Sequence, residues 1–397
     1  MASVCFYFQL HQPNRLRRYS VFDTDARYFD EARNAEICRK IASKCYLPAN
    51  RLLLDLIDRY DGQFRVAFSM SGVILDQLEA YAPEVVDSFG RLNDTGCVEL
   101  LAETYYHSLA FLYSRDEFAE QVLLHRRRMR ERFGVEPKVF RNTELIYSNE
   151  LAHFVSQLGF KTILAEGADH VLAGRSPNVV YRPPDCPDTS LLLKNYRLSD
   201  DIAFRFSNQD WAEWPLSAEK FARWVDRINR DDGYTVNLFM DYETLGEHQW
   251  AETGIFEFFE QLPEQVLASG NNDFRTPSQI AAAHPPADRL DVPHMISWAD
   301  TERDLSAWLG NAMQANALHE LYRAEAEIKA QKNPALLTDW RKLQSSDHFY
   351  YMCTKYFADG DVHKYFNPYE SPYDSYINFM NVLNNLRARL GVPEPVS

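Results

Sequence analysis

Short runs rich in β-branched and aromatic residues recur along the chain between longer amphipathic stretches, and this alternation restricts the fold more than any other feature. Seven runs are expected as strands: 3–9, 64–69, 97–102, 138–141, 161–165, 202–206 and 234–240. Between them, segments such as 49–60, 114–133, 148–158 and 217–229 follow the helical period, as in LLLDLIDRY with apolar residues at i, i+3 and i+4. Ser114 followed by Glu117, Ser148 before Leu151, and Ser217 before Lys220 mark three helix starts. Strand, helix, strand in repetition means parallel pairing with right-handed crossovers. Periodicity alone does not separate an open doubly wound sheet from a closed barrel.

The polar clusters favour the barrel. His11-Gln12-Pro13 follows the first strand, Glu103 to His107 the third, Glu144 the fourth, Glu166 the fifth and Asp241-Tyr242-Glu243 the seventh. A barrel brings all these C-terminal strand ends to one face, whereas an open sheet spreads them out. The expected fold is therefore an α/β chain, an irregular (β/α)7 barrel over 1–285. Beyond His284-Pro285-Pro286 the pattern turns helical, with helices expected at 304–331, 334–356 and 372–390 and a turn-rich loop at 359–373. Residues 286–397 are expected to form a C-terminal helical domain that completes the active site.

Composition narrows the function. With 42 Lys plus Arg against 57 Asp plus Glu, the net charge of −15 disfavours a nucleic-acid backbone or an anionic membrane as partner and suits a neutral ligand. The six cysteines are scattered without a C-x-x-C pair and read as buried thiols. The N-terminal sequence MASVCFYFQLHQP carries no basic region, and its apolar run is only about seven residues, so neither a signal peptide nor a membrane span is expected. The expectation is a cytoplasmic protein with reduced thiols.

Two segments place acids where strands end. FRNTELIYSNE puts Glu144 just beyond an apolar strand, and YTVNLFMDYETLGEHQW ends six or seven largely apolar residues in Asp241, Glu243, Glu247 and His248. A carboxylate at the mouth of an apolar strand costs free energy unless it is hydrogen-bonded or has a task. A single one could merely cap a helix or pair with an arginine; two on one barrel face suit glycoside cleavage. One attacks or stabilises the anomeric carbon while the other protonates the leaving oxygen. A nearby cation, Arg141 or His11, is expected to keep Glu144 ionised, and the field of Glu144 with Glu243 or Glu247 to raise the pKa of Asp241. Trp211, Trp214, Trp250, Trp298 and Trp308 could stack on sugar faces or pack in the core.

Five segments, in order, resemble the characteristic regions of glycoside hydrolase family 57, which includes α-amylases, 4-α-glucanotransferases and α-glucan branching enzymes. They are His11-Gln12-Pro13, the stretch GCVELLAETYYH at 96–107, Arg141-Asn142-Thr143-Glu144, MDYETLGEH at 240–248, and DLSAWLGN at 304–311. The resemblance implies an incomplete (β/α)7 barrel followed by a helical domain, and a retaining mechanism with Glu144 as nucleophile and Asp241 as general acid/base. It implies substrate contacts from His11, His107, Asp304 and Trp308; Gln12, Arg141, Glu243, His248 and Trp250, in or beside the same segments, are further candidates. Where the transferase members carry a Trp three residues before the nucleophile, this chain has Arg141. The similarity is greater to the short amylase-annotated branch. The implied substrate is an α-1,4-glucan or maltooligosaccharide, with no cofactor and no metal.

Hydrolysis, 4-α-glucan transfer and branching share one intermediate, and the sequence leaves them open, as it does the oligomeric state. A catalytically silent glucan-binding protein would have the same acidity and aromatic content, but both carboxylates are present. A metal-dependent carbohydrate deacetylase is disfavoured because the 11 histidines include no H-E-x-x-H and no suitably placed H-x-x-x-H pair. No G-x-G-x-x-G or Walker sequence follows any strand, which argues against nucleotide binding.

Overall fold

The structure is a computed structural model and describes residues 2–231, 233–355 and 367–390. Its strands are β1 Ala2–Leu10, β2 Val66–Met70, β3 Val98–Leu100, β4 Val139–Arg141, β5 Thr162–Glu166, β6 Tyr181–Arg182, β7 Ser190–Lys194, β8 Thr235–Asp241, β9 Asn272–Phe274 and β10 Asp288–Arg289. They form two sheets, β3-β2-β1-β8 with β9 also on β1, and β10-β6-β7-β5-β4. Every pairing is parallel except that of β6 with β7.

The two sheets meet at both edges. Ala102, just past β3, bridges to Phe140, with Ala102 N donating to Val139 O and Arg141 N to Ala102 O, both at 2.9 Å. At the other seam Asn195 N donates to Asn237 O, and Asn237 Nδ2 to Leu193 O, again at 2.9 Å. Seven parallel strands thus follow one another in the order β1-β2-β3-β4-β5-β7-β8 and back to β1. This is the expected (β/α)7 arrangement, irregular because each seam is held by few bonds.

Strand pleating sorts the side chains. One face contributes Cys5, Tyr7, Ala67, Leu101, Val139, Leu164, Leu192 and Phe239 to a buried cluster that also holds Ile280 of helix Pro277–Ala283. The opposite faces of β1, β2 and β8 pack Phe6, Phe8, Phe68 and Leu238 against helices Leu47–Arg59 and Ile255–Leu267. Those of β4, β5 and β7 place Phe140, Ile163, Leu191 and Leu193 in a third cluster with Leu321, Trp340, Phe349, Phe379 and Leu383 from the C-terminal helices. Full burial of such side chains contributes about 1.5–3 kcal/mol each, so the helical segment is bound to the barrel by shared core.

The helix starts expected from sequence form as capped termini: the hydroxyls of Ser114, Ser148 and Ser217 accept from the main-chain N of Glu117, Leu151 and Lys220. One strand is a correction. Residues 202–206 do not form a strand; helix Tyr196–Ala203 occupies their start, capped by the Asn195 side chain. The sixth barrel strand is β7 instead, whose SLLLK run lacks the β-branched residues that signal a strand. The C-terminal region is more broken than expected, with helices Ser306–Leu309, Ala312–Arg323, Glu325–Ala330, Pro334–Lys342, Ser346–Tyr350 and Pro372–Ala388. Asn311 causes one break, since its side chain forms a capping box with Gln314 and starts a new helix. Of the loop expected at 359–373, residues 359–366 lie outside the described residues, as does residue 356 at the end of the second expected helix. No described helix is long and apolar enough to cross a membrane, and all six cysteines are free and buried.

Candidate active site

The same pleating builds the site. Two residues beyond the last inner apolar residue of each barrel strand the sequence turns polar: Tyr7 leads to Gln9, Ala67 to Ser69, Leu101 to Glu103, Val139 to Arg141, Leu164 to Glu166, Leu192 to Lys194 and Phe239 to Asp241. A period of two puts each pair on one face, so the apolar interior ends in a polar layer at the C-terminal rim, the functional face of such barrels. Several members bond to one another. Ser69 Oγ donates to Gln9 Oε1 at 2.9 Å, Gln9 Nε2 to Glu103 Oε1 at 3.3 Å, and Lys194 Nζ lies 3.7 Å from Glu166 Oε2.

Above this layer lies a cavity of about 430 Å³ whose lining includes His11, His107, Glu144, Asp241, Glu243 and Trp298. Glu144 reaches it from the turn after β4. Trp298 Nε1 donates to its Oε2 at 2.8 Å, Ser346 Oγ to its Oε1 at 2.8 Å, and His107 Nε2 to Oε1 at 3.3 Å. Burial would raise its pKa, but the hydrogen bond and charge of His107 and the charge of Arg141 hold it below the usual 4.5. Asp241, at the end of β8, is pushed the other way. Burial first and then the negative field of Glu144 raise its pKa to about 6. Glu243 is raised to about 8 by burial and then by Asp241, although Tyr46 Oη donates to its Oε1 at 2.5 Å and Gln12 Nε2 at 3.3 Å.

His107 sits between two carboxylates. Its Nδ1 donates to Glu103 Oε2 at 3.0 Å and its Nε2 to Glu144. Burial opposes its charge, yet these two partners raise its pKa to about 9, while burial of Glu103 is outweighed by His107 and Arg141, which lower it to about 2. The pair stabilises the fold within a pH window. The His107 contribution is full below its ordinary value of 6.5 and lost as pH rises through about 9; that of Glu103 is full above 4.5 and lost as pH falls through about 2. Glu103→Gln removes one of the two carboxylates that pair with the buried His107 charge and is expected to cost about 3 kcal/mol near pH 6. In denaturant titrations the deficit should shrink above pH 9; a variant as stable as wild type at pH 6 contradicts the pairing.

His11 stacks on His107 with ring centroids 4.0 Å apart. Its Nε2 donates to Asp347 Oδ2 at 2.9 Å and its Nδ1 accepts from Ser71 Oγ at 2.7 Å. Burial and then the charge of His107 lower its pKa, against the opposing pull of Asp347.

Gln12, His248 and Trp308 also line the cavity, and burial lowers His248 to about 4. Three expected site residues lie elsewhere. Arg141 is fully buried beneath the Trp298 ring, its guanidinium carbon 5.0 Å from the centroid. Trp250 is 55% exposed on the outer surface, with Lys44 Nζ 5.8 Å from its ring. Asp304 is exposed and spends its carboxylate on Ser306 N at 2.8 Å, while Asp300, four residues earlier, lines the cavity. The residues missed as site members are Asp347 and Ser346; Trp298, expected only as a ring that stacks on sugar or packs in the core, lines the cavity as a donor to Glu144, and Glu103, from the polar cluster after the third strand, lies beneath them. Ser346 and Asp347 come from the five-residue helix Ser346–Tyr350, about which the sequence near the strands says nothing. Among the described residues, no group of three His, Cys, Asp or Glu is arranged to hold a metal ion.

Comparison with known proteins gives a consistent result. The model of the family described as Glycosyl hydrolase family 57 matches residues 5–293. A putative alpha-amylase of Methanocaldococcus jannaschii is 42% identical over 394 residues, covering 96% of this chain and 83% of the relative. An alpha-amylase of Pyrococcus horikoshii is 22% identical over 236 residues, covering 51% of this chain and 37% of that one. Among solved structures, a branching enzyme from Thermococcus kodakaraensis superposes with a TM-score of 0.68 at 14% identity, over 99% of this chain and 92% of the other. A 4-alpha-glucanotransferase from Thermococcus litoralis gives 0.67 at 15% identity, over 88% of this chain and 56% of the other.

Proposed function

The chain belongs to glycosyl hydrolase family 57, and from that premise we propose that it is a retaining enzyme of the α-amylase kind acting on α-1,4-glucans. The observation that carries the reading is the pair of carboxyls in one cavity whose surroundings push their pKa values in opposite directions, Glu144 below its usual value and Asp241 up to about 6. Such a pair divides the roles of nucleophile and acid between two groups of the same type.

In the first step a Glu144 oxygen bonds to the anomeric carbon as the glycosidic C–O bond breaks, and Asp241 gives its proton to the departing oxygen. The product is a glucosyl ester on Glu144 and a free chain end. Asp241, now a carboxylate, takes a proton from water; the water oxygen attacks the anomeric carbon and Glu144 leaves as carboxylate. His107 carries positive charge throughout and balances the carboxylates beside it. If a sugar hydroxyl replaces water, the same intermediate gives transfer, and the products distinguish the two.

The test is to incubate the protein with maltooligosaccharides and amylose and analyse products across pH. Turnover needs Glu144 ionised and Asp241 protonated. The rate constant kcat/KM should therefore rise to a plateau from below pH 4.5 and fall as pH passes about 6. The fall should approach tenfold per pH unit. A well-folded preparation that leaves every α-glucan unchanged refutes the reading.

A further inference from the structure

Glu144 has φ 57° and ψ 24°, and Leu145 follows with φ 50°. Two consecutive left-handed residues that are not glycine each cost about 1–2 kcal/mol, so something must hold them. The holding element is the segment around Trp298. Tyr147 and Ile296 form an antiparallel bridge, each main-chain N donating to the other's O at 3.0 Å, and Trp298 N donates to Glu144 O at 3.2 Å. Trp298 therefore contacts residue 144 twice, by its main chain and by the indole Nε1–H on Oε2 at 2.8 Å.

Trp298 is itself fixed. Its carbonyl accepts from Arg303, whose guanidinium lies 3.7 Å from Glu166 and 3.5 Å from Asp200. Two cations face its ring, Arg141 at 5.0 Å and Lys194 at 5.5 Å from the centroid. Cations against an aromatic ring draw electron density from it, which makes the indole N–H a stronger donor. Arg141 thus acts through Trp298 as a positioning residue.

We propose that Trp298 is a catalytic residue of this site: its indole N–H holds the Glu144 carboxylate in its ionised, attacking state, and its main chain holds the left-handed turn that presents it. The proposal rests on the glucan reading above. Trp298→Phe keeps a ring over Arg141 and removes only the donor. It should lower kcat on maltooligosaccharides by about 10²-fold with little change in KM. It should also move the acidic limb of kcat/KM upward, because a donor lost from a carboxylate favours its protonated form. A raised KM with unchanged kcat and limb would make Trp298 a plain sugar contact and overturn the proposal.

A second measurement needs neither substrate nor that variant. In wild-type protein with 15N-labelled tryptophan, one of the seven indole N–H signals should titrate with Glu144, and Glu144→Gln should abolish that titration. Indole signals that ignore Glu144 overturn the proposal. Absence of α-glucan turnover by the wild type would instead count against the glucan reading, while the titration remains.

Discussion

Glu144→Gln is expected to lower kcat on maltooligosaccharides by roughly 10³- to 10⁶-fold while leaving the protein folded. The amide has nearly the shape of the carboxylate but cannot form the ester, so the two-step route is closed. The carboxylate contributes little to the core: it faces the cavity, held by Trp298, Ser346 and His107. Glu144→Ala extends the test, because it leaves space on the face from which the nucleophile attacks. Added azide should then accept the sugar from an activated α-maltoside and give the β-glycosyl azide, with Asp241 still supplying its proton. An Ala variant that azide does not revive, or a Gln variant of wild-type rate, removes Glu144 from the role of nucleophile.

Asp241→Asn should cost about 10²- to 10⁴-fold on natural glucans, the range for a general acid/base. The loss should depend on the leaving group. A maltooligosaccharide leaves as an alkoxide unless it is protonated, whereas α-maltosyl fluoride leaves without a proton, so its first step should stay close to the wild-type rate. The descending limb near pH 6 should also vanish, since it reports the proton on Asp241. Equal loss on both substrates would assign Asp241 to binding rather than proton transfer.

The barrel was readable wherever a strand alternates or carries branched residues. The step from Tyr7 to Gln9, or from Phe239 to Asp241, is visible in the letters alone, because pleating turns a spacing of two into a shared face. Strand β7 was not readable, since leucine serves helices as well as strands and SLLLK has no β-branched residue to decide. Residues that follow a strand directly were legible as a site: His11, Gln12, Glu144, Asp241, Glu243 and His248 all reach the cavity.

What depended on tertiary contact was not legible. Asp347 meets His11 across a separation of 336 residues, from a helix too short to show a pattern. Asp304 fell to local chemistry, its carboxylate taken by the main chain two residues on. Arg141 has the strand parity of a site residue, but Trp298 folds over it and covers its charge. Its influence reaches the site electrostatically, lowering the pKa of both Glu144 and Asp241.

The central claim is that Glu144 forms a covalent intermediate, so that the anomeric configuration is inverted twice. Proton NMR of the first products released from maltooligosaccharides, recorded before mutarotation, tests it most directly. The account predicts that the new reducing end appears first as the α-anomer; initial appearance of the β-anomer would mean a single displacement by water and would contradict it.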